Sequence, residues 1–198
     1  VYIDWADMDK DGPLCAEQML YAACFRVMAE ISEQLGKDGN VYRQEYEKLT
    51  AAIEKFFWDE EKGAYIDSFT SGKRNVTRHA NIFAILFDIA DKQKQEKILT
   101  NVLENDEIPA ITTPYFNFFE LDVLCQMGKL TEVLDKIRSY WGGMLDLGAV
   151  TFWEEYDPSV PKEEQYDMYG DHFGKSLCHA WAASPIYFLA KYVAGLDL

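Results

Sequence analysis

The sequence predicts an all-α protein made of antiparallel helical hairpins, interrupted by one short β excursion. Three observations carry that expectation. Apolar residues recur at helical spacing through most of the chain, glycine and proline stand where such helices would stop and start, and paired segments recur at roughly 50 to 70 residues. Closing hairpins of this kind into a ring takes more of them than the 198 residues contain. The chain is therefore expected to be the second half of a larger helical barrel, one domain over residues 1–198.

Residues 1–12 read as a loop ending in acids, and Pro13 suits the first turn of a helix. Residues 14–35 carry a broad apolar face closed by Gly36, and 37–39 form a turn. A second helix over about 41–57 completes the first hairpin. The period then changes: 59–63 is a turn and 64–68 alternates like a short strand. Thr77 is placed to cap a third helix running to about Ala90, and Asp91 to start a fourth ending near Asn105. Pro114 begins the fifth, which Gly128 stops, and Thr131 opens a sixth ending at Gly142-Gly143. The seventh is expected over 176–193, kinked near Pro185.

Hydrophobic residues make up 48% of the chain and aromatics 15%, the composition of a folded protein. The net charge of -15 argues against nucleic acid and against anionic membrane surfaces, both of which favour basic patches. No apolar run is long enough to span a bilayer, so a soluble chain is expected. Cys15, Cys24, Cys125 and Cys178 show neither C-x-x-C spacing nor disulfide-domain density, and free, mostly buried thiols are expected. That usage mildly favours a reducing compartment.

The stretch that points to chemistry is 141–157, where glycines at 142, 143 and 148 lead into Trp153, Glu154, Glu155 and Tyr156. Aromatic faces beside carboxylates suit a sugar site, with rings to stack on and acids to bond hydroxyls or move protons. The same residues would also serve as a connector with core tryptophans and solvated acids. Asp7, Asp9, Asp11 and Gly12 open like a calcium loop, but Gln18 stands where the closing Glu belongs. His79, His172 and His179 show no zinc-ligand spacing, and no phosphate loop or nucleophile motif is present. No metal or cofactor is expected. The sequon Asn75-Val76-Thr77 is of a kind common by chance.

Several stretches together resemble the catalytic barrel of bacterial α-L-rhamnosidases: Ile3-Asp4-Trp5, Tyr115 to Leu121, Trp141 to Leu145, Gly148 to Glu154, and Ser176 to Trp181. The resemblance runs through nearly the whole chain, and its most specific part is Gly-Ala-Val-Thr-Phe-Trp-Glu. It implies an inverting glycoside hydrolase with a six-hairpin (α/α)6 barrel, of which this is the C-terminal portion. Glu154 matches the general base, with Glu155 as fallback because the family often has Arg there. Asp4, Trp5, Trp153, Trp141 and His179 match positions around the sugar. The family's general acid lies in an upstream acid-rich loop that no segment here resembles. Inversion needs carboxyl groups roughly 6.5–9.5 Å apart on opposite faces of the sugar, which adjacent acids do not supply. A chain inactive by itself is thus expected, with a rhamnoside as the parent enzyme's substrate. Apolar helix faces left bare by an incomplete ring could pair two copies into a homodimer. Another α/α-barrel carbohydrate enzyme, or a helical sugar- or partner-binding module, is the alternative.

Overall fold

The computed structural model describes residues 3–196 and divides into two compact units. The first holds residues 7–110 and the second residues 4–6 with 111 onward. Both are built from helices, and the first also contains a two-stranded β-hairpin.

In the first unit, α1 (Cys15–Gln34) and α2 (Asn40–Phe57) form a helical hairpin. Small and flexible side chains line the buried face of α1, with Cys15, Ala16, Met19, Ala22, Ala23 and Ala29, so that α2 comes close. Gly39 in the turn shows how close: a Cβ there would stand 2.7 Å from the Ala29 carbonyl oxygen. Leu20, Tyr21, Val27, Met28 and Ile31 of α1, and Leu35 just after it, lie exposed. β1 (Trp58–Asp59) and β2 (Ala64–Tyr65) pair with Trp58 opposite Tyr65. The strand expected over 64–68 is thus shorter than its alternation suggests, because beyond Tyr65 the backbone bonds elsewhere: Ile66 N–H donates to Phe57 and Asp67 N–H to Asn75.

Helix α3 (Arg78–Leu86) is buried through nearly its whole length. Its Asn81 clamps β2, accepting from Tyr65 N–H at 2.8 Å and donating to the Tyr65 carbonyl at 3.0 Å. Thr77 stands at the N-cap position without a side-chain cap bond, and its hydroxyl donates to Asp67. Asp91 does cap α4 (Lys92–Ile98), which continues as a π-helical turn, Leu99–Leu103.

The second unit contains α5 (Pro114–Gln126), α6 (Leu130–Asp146) and α7 (Ser184–Phe188). Thr113 caps α5, and Phe116, Leu121, Val123, Val133, Met144 and Phe188 are buried. Two expectations fail here. Helix α6 runs through Gly142-Gly143 and stops at Gly148, whose φ of 93° closes a Schellman motif. In that motif Gly148 N–H donates to Leu145 and Ala149 N–H to Met144. Gly143 is there for space: a Cβ on it would fall 2.3 Å from the Tyr156 hydroxyl.

The last helix is also shorter than expected. Residues 176–179 are not helical, a 3-10 turn covers Ala180–Ala182, and α7 starts at Ser184. Pro185 therefore sits in the first helical turn, where its missing N–H costs nothing, and does not kink a longer helix.

All four cysteines are free, but only Cys15 is buried, while Cys24 and Cys178 are exposed. No helix among the described residues is long and apolar enough to cross a membrane.

Candidate active site

The site is built from one backbone pairing inside the second unit. Glu154 N–H donates to the Ser176 carbonyl at 2.9 Å, and His179 N–H to the Phe152 carbonyl at 2.8 Å. The Thr151 hydroxyl also bonds the Leu177 carbonyl. This pairing commits backbone groups of 176–179 to partners outside a helix, which is why the helical spacing there never becomes a helix. Trp153 is buried against Tyr166 at a ring distance of 5.4 Å.

The two adjacent acids have different partners. Glu154 receives two donors, Ser176 N–H on Oε2 at 2.9 Å and the Tyr169 hydroxyl on Oε1 at 2.5 Å. Glu155 faces the Lys175 ammonium, 2.8 Å from its Oε2. The Lys175 side chain is only 2% exposed, and it also donates to the Gln165 carbonyl at 2.5 Å. Gln165 in turn donates to the Asp157 and Val160 carbonyls, so this one ammonium ties the following loop to the site. Removing one partner of a buried ion pair strands the other. Lys175→Met is therefore expected to cost about 3 kcal/mol, part of it regained when Glu155→Gln is added. Urea unfolding of both variants checks this, and a loss below ~1 kcal/mol would mean the pair contributes little.

Asp4 is 2% exposed and accepts from the Thr113 hydroxyl at 2.7 Å, which joins its loop to the cap of α5. Trp5, its neighbour, is 47% exposed and lies edge-on to Tyr169 at 5.4 Å. His179 meets Trp181 edge-on at 6.0 Å, and Trp181, 70% exposed, leans on Tyr115 at 5.3 Å. Trp141 is buried, its Nε1 donating to the Ala182 carbonyl at 2.9 Å. Beside it the buried Tyr140 hydroxyl bonds the Thr112 carbonyl, and burial pushes its pKa well above the usual phenol range.

The structure thus brings Asp4, Trp5, Trp141, Trp153, Glu154 and His179 into one unit, with Asp4, Trp141 and Trp153 covered by protein. Sequence reasoning missed Tyr169 and Lys175. The signal for the first is a two-residue β-turn, in which Met168 and Asp171 exchange both backbone hydrogen bonds at 3.0 Å. Tyr169 and Gly170 at its tip have φ of 56° and 83°, the combination of a type I′ turn. Glycine suits that conformation, whereas tyrosine is strained there by roughly 1 kcal/mol. Among the described residues no group of three or more His, Cys, Asp or Glu could hold a metal ion. The Asp9 carboxylate of the acidic loop is bonded to the Ser71 hydroxyl.

A family model for the bacterial α-L-rhamnosidase six-hairpin glycosidase domain matches residues 1–193. No curated protein matches the chain. Among solved structures it is similar to a rhamnosidase from Klebsiella oxytoca with rhamnose bound (TM-score 0.80, 31% identity), covering 99% of this chain and 36% of that one. It is also similar to a GH78 family rhamnosidase of Bacillus sp. GL1 (TM-score 0.80, 26% identity), covering 96% of this chain and 20% of that one. The chain therefore spans about a third and a fifth of these two proteins.

Proposed function

The chain belongs to the bacterial α-L-rhamnosidase six-hairpin glycosidase family, and from that premise we propose that it serves the hydrolysis of terminal α-L-rhamnosides with inversion. The observation that carries this reading is the Glu154 carboxylate, oriented by two donors, one of them the phenol of the exposed Tyr169. In this role Glu154 takes a proton from water as that water attacks the anomeric carbon. Trp5 offers its face to the apolar side and 6-methyl group of the sugar, and His179 bonds a hydroxyl. Asp4, Trp141 and Trp153 form the floor beneath them.

Glu155 is the weaker candidate for the base, because Lys175 already engages its carboxylate. It is no candidate for the acid, since inversion requires the two carboxyl groups roughly 6.5–9.5 Å apart across the sugar. The acid belongs, in this reading, to polypeptide beyond these 198 residues, which span 36% of the Klebsiella protein. A panel of aryl glycosides given to the full-length enzyme tests the proposal, with the product anomer followed by NMR. Preferential cleavage of the α-L-rhamnoside to β-L-rhamnose is expected. Preference for another sugar would move the protein to a different carbohydrate-active enzyme class, and retention would remove the inverting mechanism.

A further inference from the structure

We infer that Tyr169 is a positioning residue for Glu154, presenting its phenol from a strained β-turn to hold the carboxylate toward the attacking water. The inference rests on the reading of Glu154 as general base. Four independent features of the chain converge on it.

The first is the contact itself, with the Tyr169 hydroxyl donating to Oε1 at 2.5 Å and Ser176 N–H donating to Oε2 at 2.9 Å. Each carboxylate oxygen has two lone pairs, so one remains on each oxygen for water. Two donors on two different oxygens also remove the freedom of the carboxylate to rotate.

The second is the backbone. The first tip position of a type I′ turn favours Asn, Asp or Gly, and here it holds Tyr at φ 56°. Such strain persists where the surrounding structure compensates for it, and it clusters at functional sites. Burial does not explain the choice, since Tyr169 is 58% exposed.

The third is how the turn is seated. A Cβ on Gly174 would lie 2.0 Å from the Met168 carbonyl oxygen, so the returning chain passes tight against the turn. The fourth is its foot, where Lys175 is fixed to Glu155, the residue next to Glu154. The tip and the foot of one loop thus engage the two adjacent acids. No proton passes through Tyr169: the one taken from water goes to Glu154, whose charge it neutralises.

The test compares variants of the full-length enzyme on an aryl α-L-rhamnoside. Tyr169→Phe keeps the ring and its edge contact with Trp5 while removing the hydroxyl. It should lower kcat by about 10- to 100-fold with KM within about two-fold, because misplacing a reacting group acts on the chemical step. Tyr169→Asn suits the turn, so its Tm should equal or exceed the parent's while kcat falls at least as far. In a Glu154→Gln background, Tyr169→Phe should add less than about two-fold, because residues acting as a unit are not additive. Parental kcat in Tyr169→Phe beside a slow Glu154→Gln would overturn this inference and leave the base assignment standing. Parental kcat in Glu154→Gln would overturn the base assignment and this inference with it.

Discussion

Glu154→Gln is expected to lower turnover of the full-length enzyme by ~10²–10⁴-fold, the usual worth of general-base help and about 3–5 kcal/mol of barrier. The substitution is close to isosteric, and an amide oxygen can still accept from Ser176 N–H. What the amide cannot do is take a proton from water. KM should change little, since the lost interaction is made in the transition state. Glu155→Gln is the control. Its carboxylate lies 2.8 Å from the buried Lys175 ammonium, so its loss should act on stability more than on rate. Near-parental kcat in Glu154→Gln with a large loss in Glu155→Gln would reverse the assignment. Parental kcat in both would remove the two acids from the chemistry.

Asp67→Asn is expected to destabilise the first unit by about 3–5 kcal/mol, because it leaves buried donors facing an amide N–H₂. Asp67 is 1% exposed and accepts four hydrogen bonds. Thr77 N–H and the Thr77 hydroxyl donate to Oδ1, at 3.2 and 2.7 Å. Asp9 N–H and the Asn75 amide donate to Oδ2, at 3.1 and 2.6 Å. An asparagine can accept at only one of these two oxygens. The arrangement also commits the Asn75 amide of the sequon to a carboxylate.

Asp67 should also leave a mark on stability as a function of pH. Burial raises its folded pKa above the ordinary 3.8, outweighing the four donors that favour the anion. The folded state then holds its proton to higher pH than the unfolded state does. This contribution to stability is fully present below 3.8 and is lost as pH rises through the folded pKa. Asparagine does not titrate, so the gap in stability between parent and Asp67→Asn should narrow as pH rises from 3.8 through the folded pKa. Urea unfolding across that range reads both the size of the loss and the sign of its slope. A loss under ~1 kcal/mol would mean that water replaces the missing acceptor.

Where local signals sufficed, the helices stand as the residues predict. Pro114 and Gly128 bracket α5, Gly36 follows α1, and Asp91 caps α4. Each of these depends on interactions within a few residues of chain, so composition and spacing are enough to place them. The location of the candidate base is legible for a related reason: the stretch from Gly148 to Glu154 is dense in residue types with specific uses.

The remainder was decided by contacts far apart in sequence. Gly142-Gly143 could end a helix as readily as continue one, and the ring of Tyr156 packed on Gly143 selects continuation. Residues 176–179 have helical spacing, yet 152–154 offer them backbone partners, and pairing over 22 residues wins. That pairing sends Glu154 to Tyr169 and Glu155 to Lys175, a division that adjacency alone leaves undetermined. By itself, then, the amino-acid order determined the helical class, most helix boundaries and the stretch that carries the acids. Only tertiary structure decided which partners each acid has. The reason is physical: helix period and capping are settled within one or two turns, whereas the partner of a side chain depends on which distant backbone comes to lie beside it.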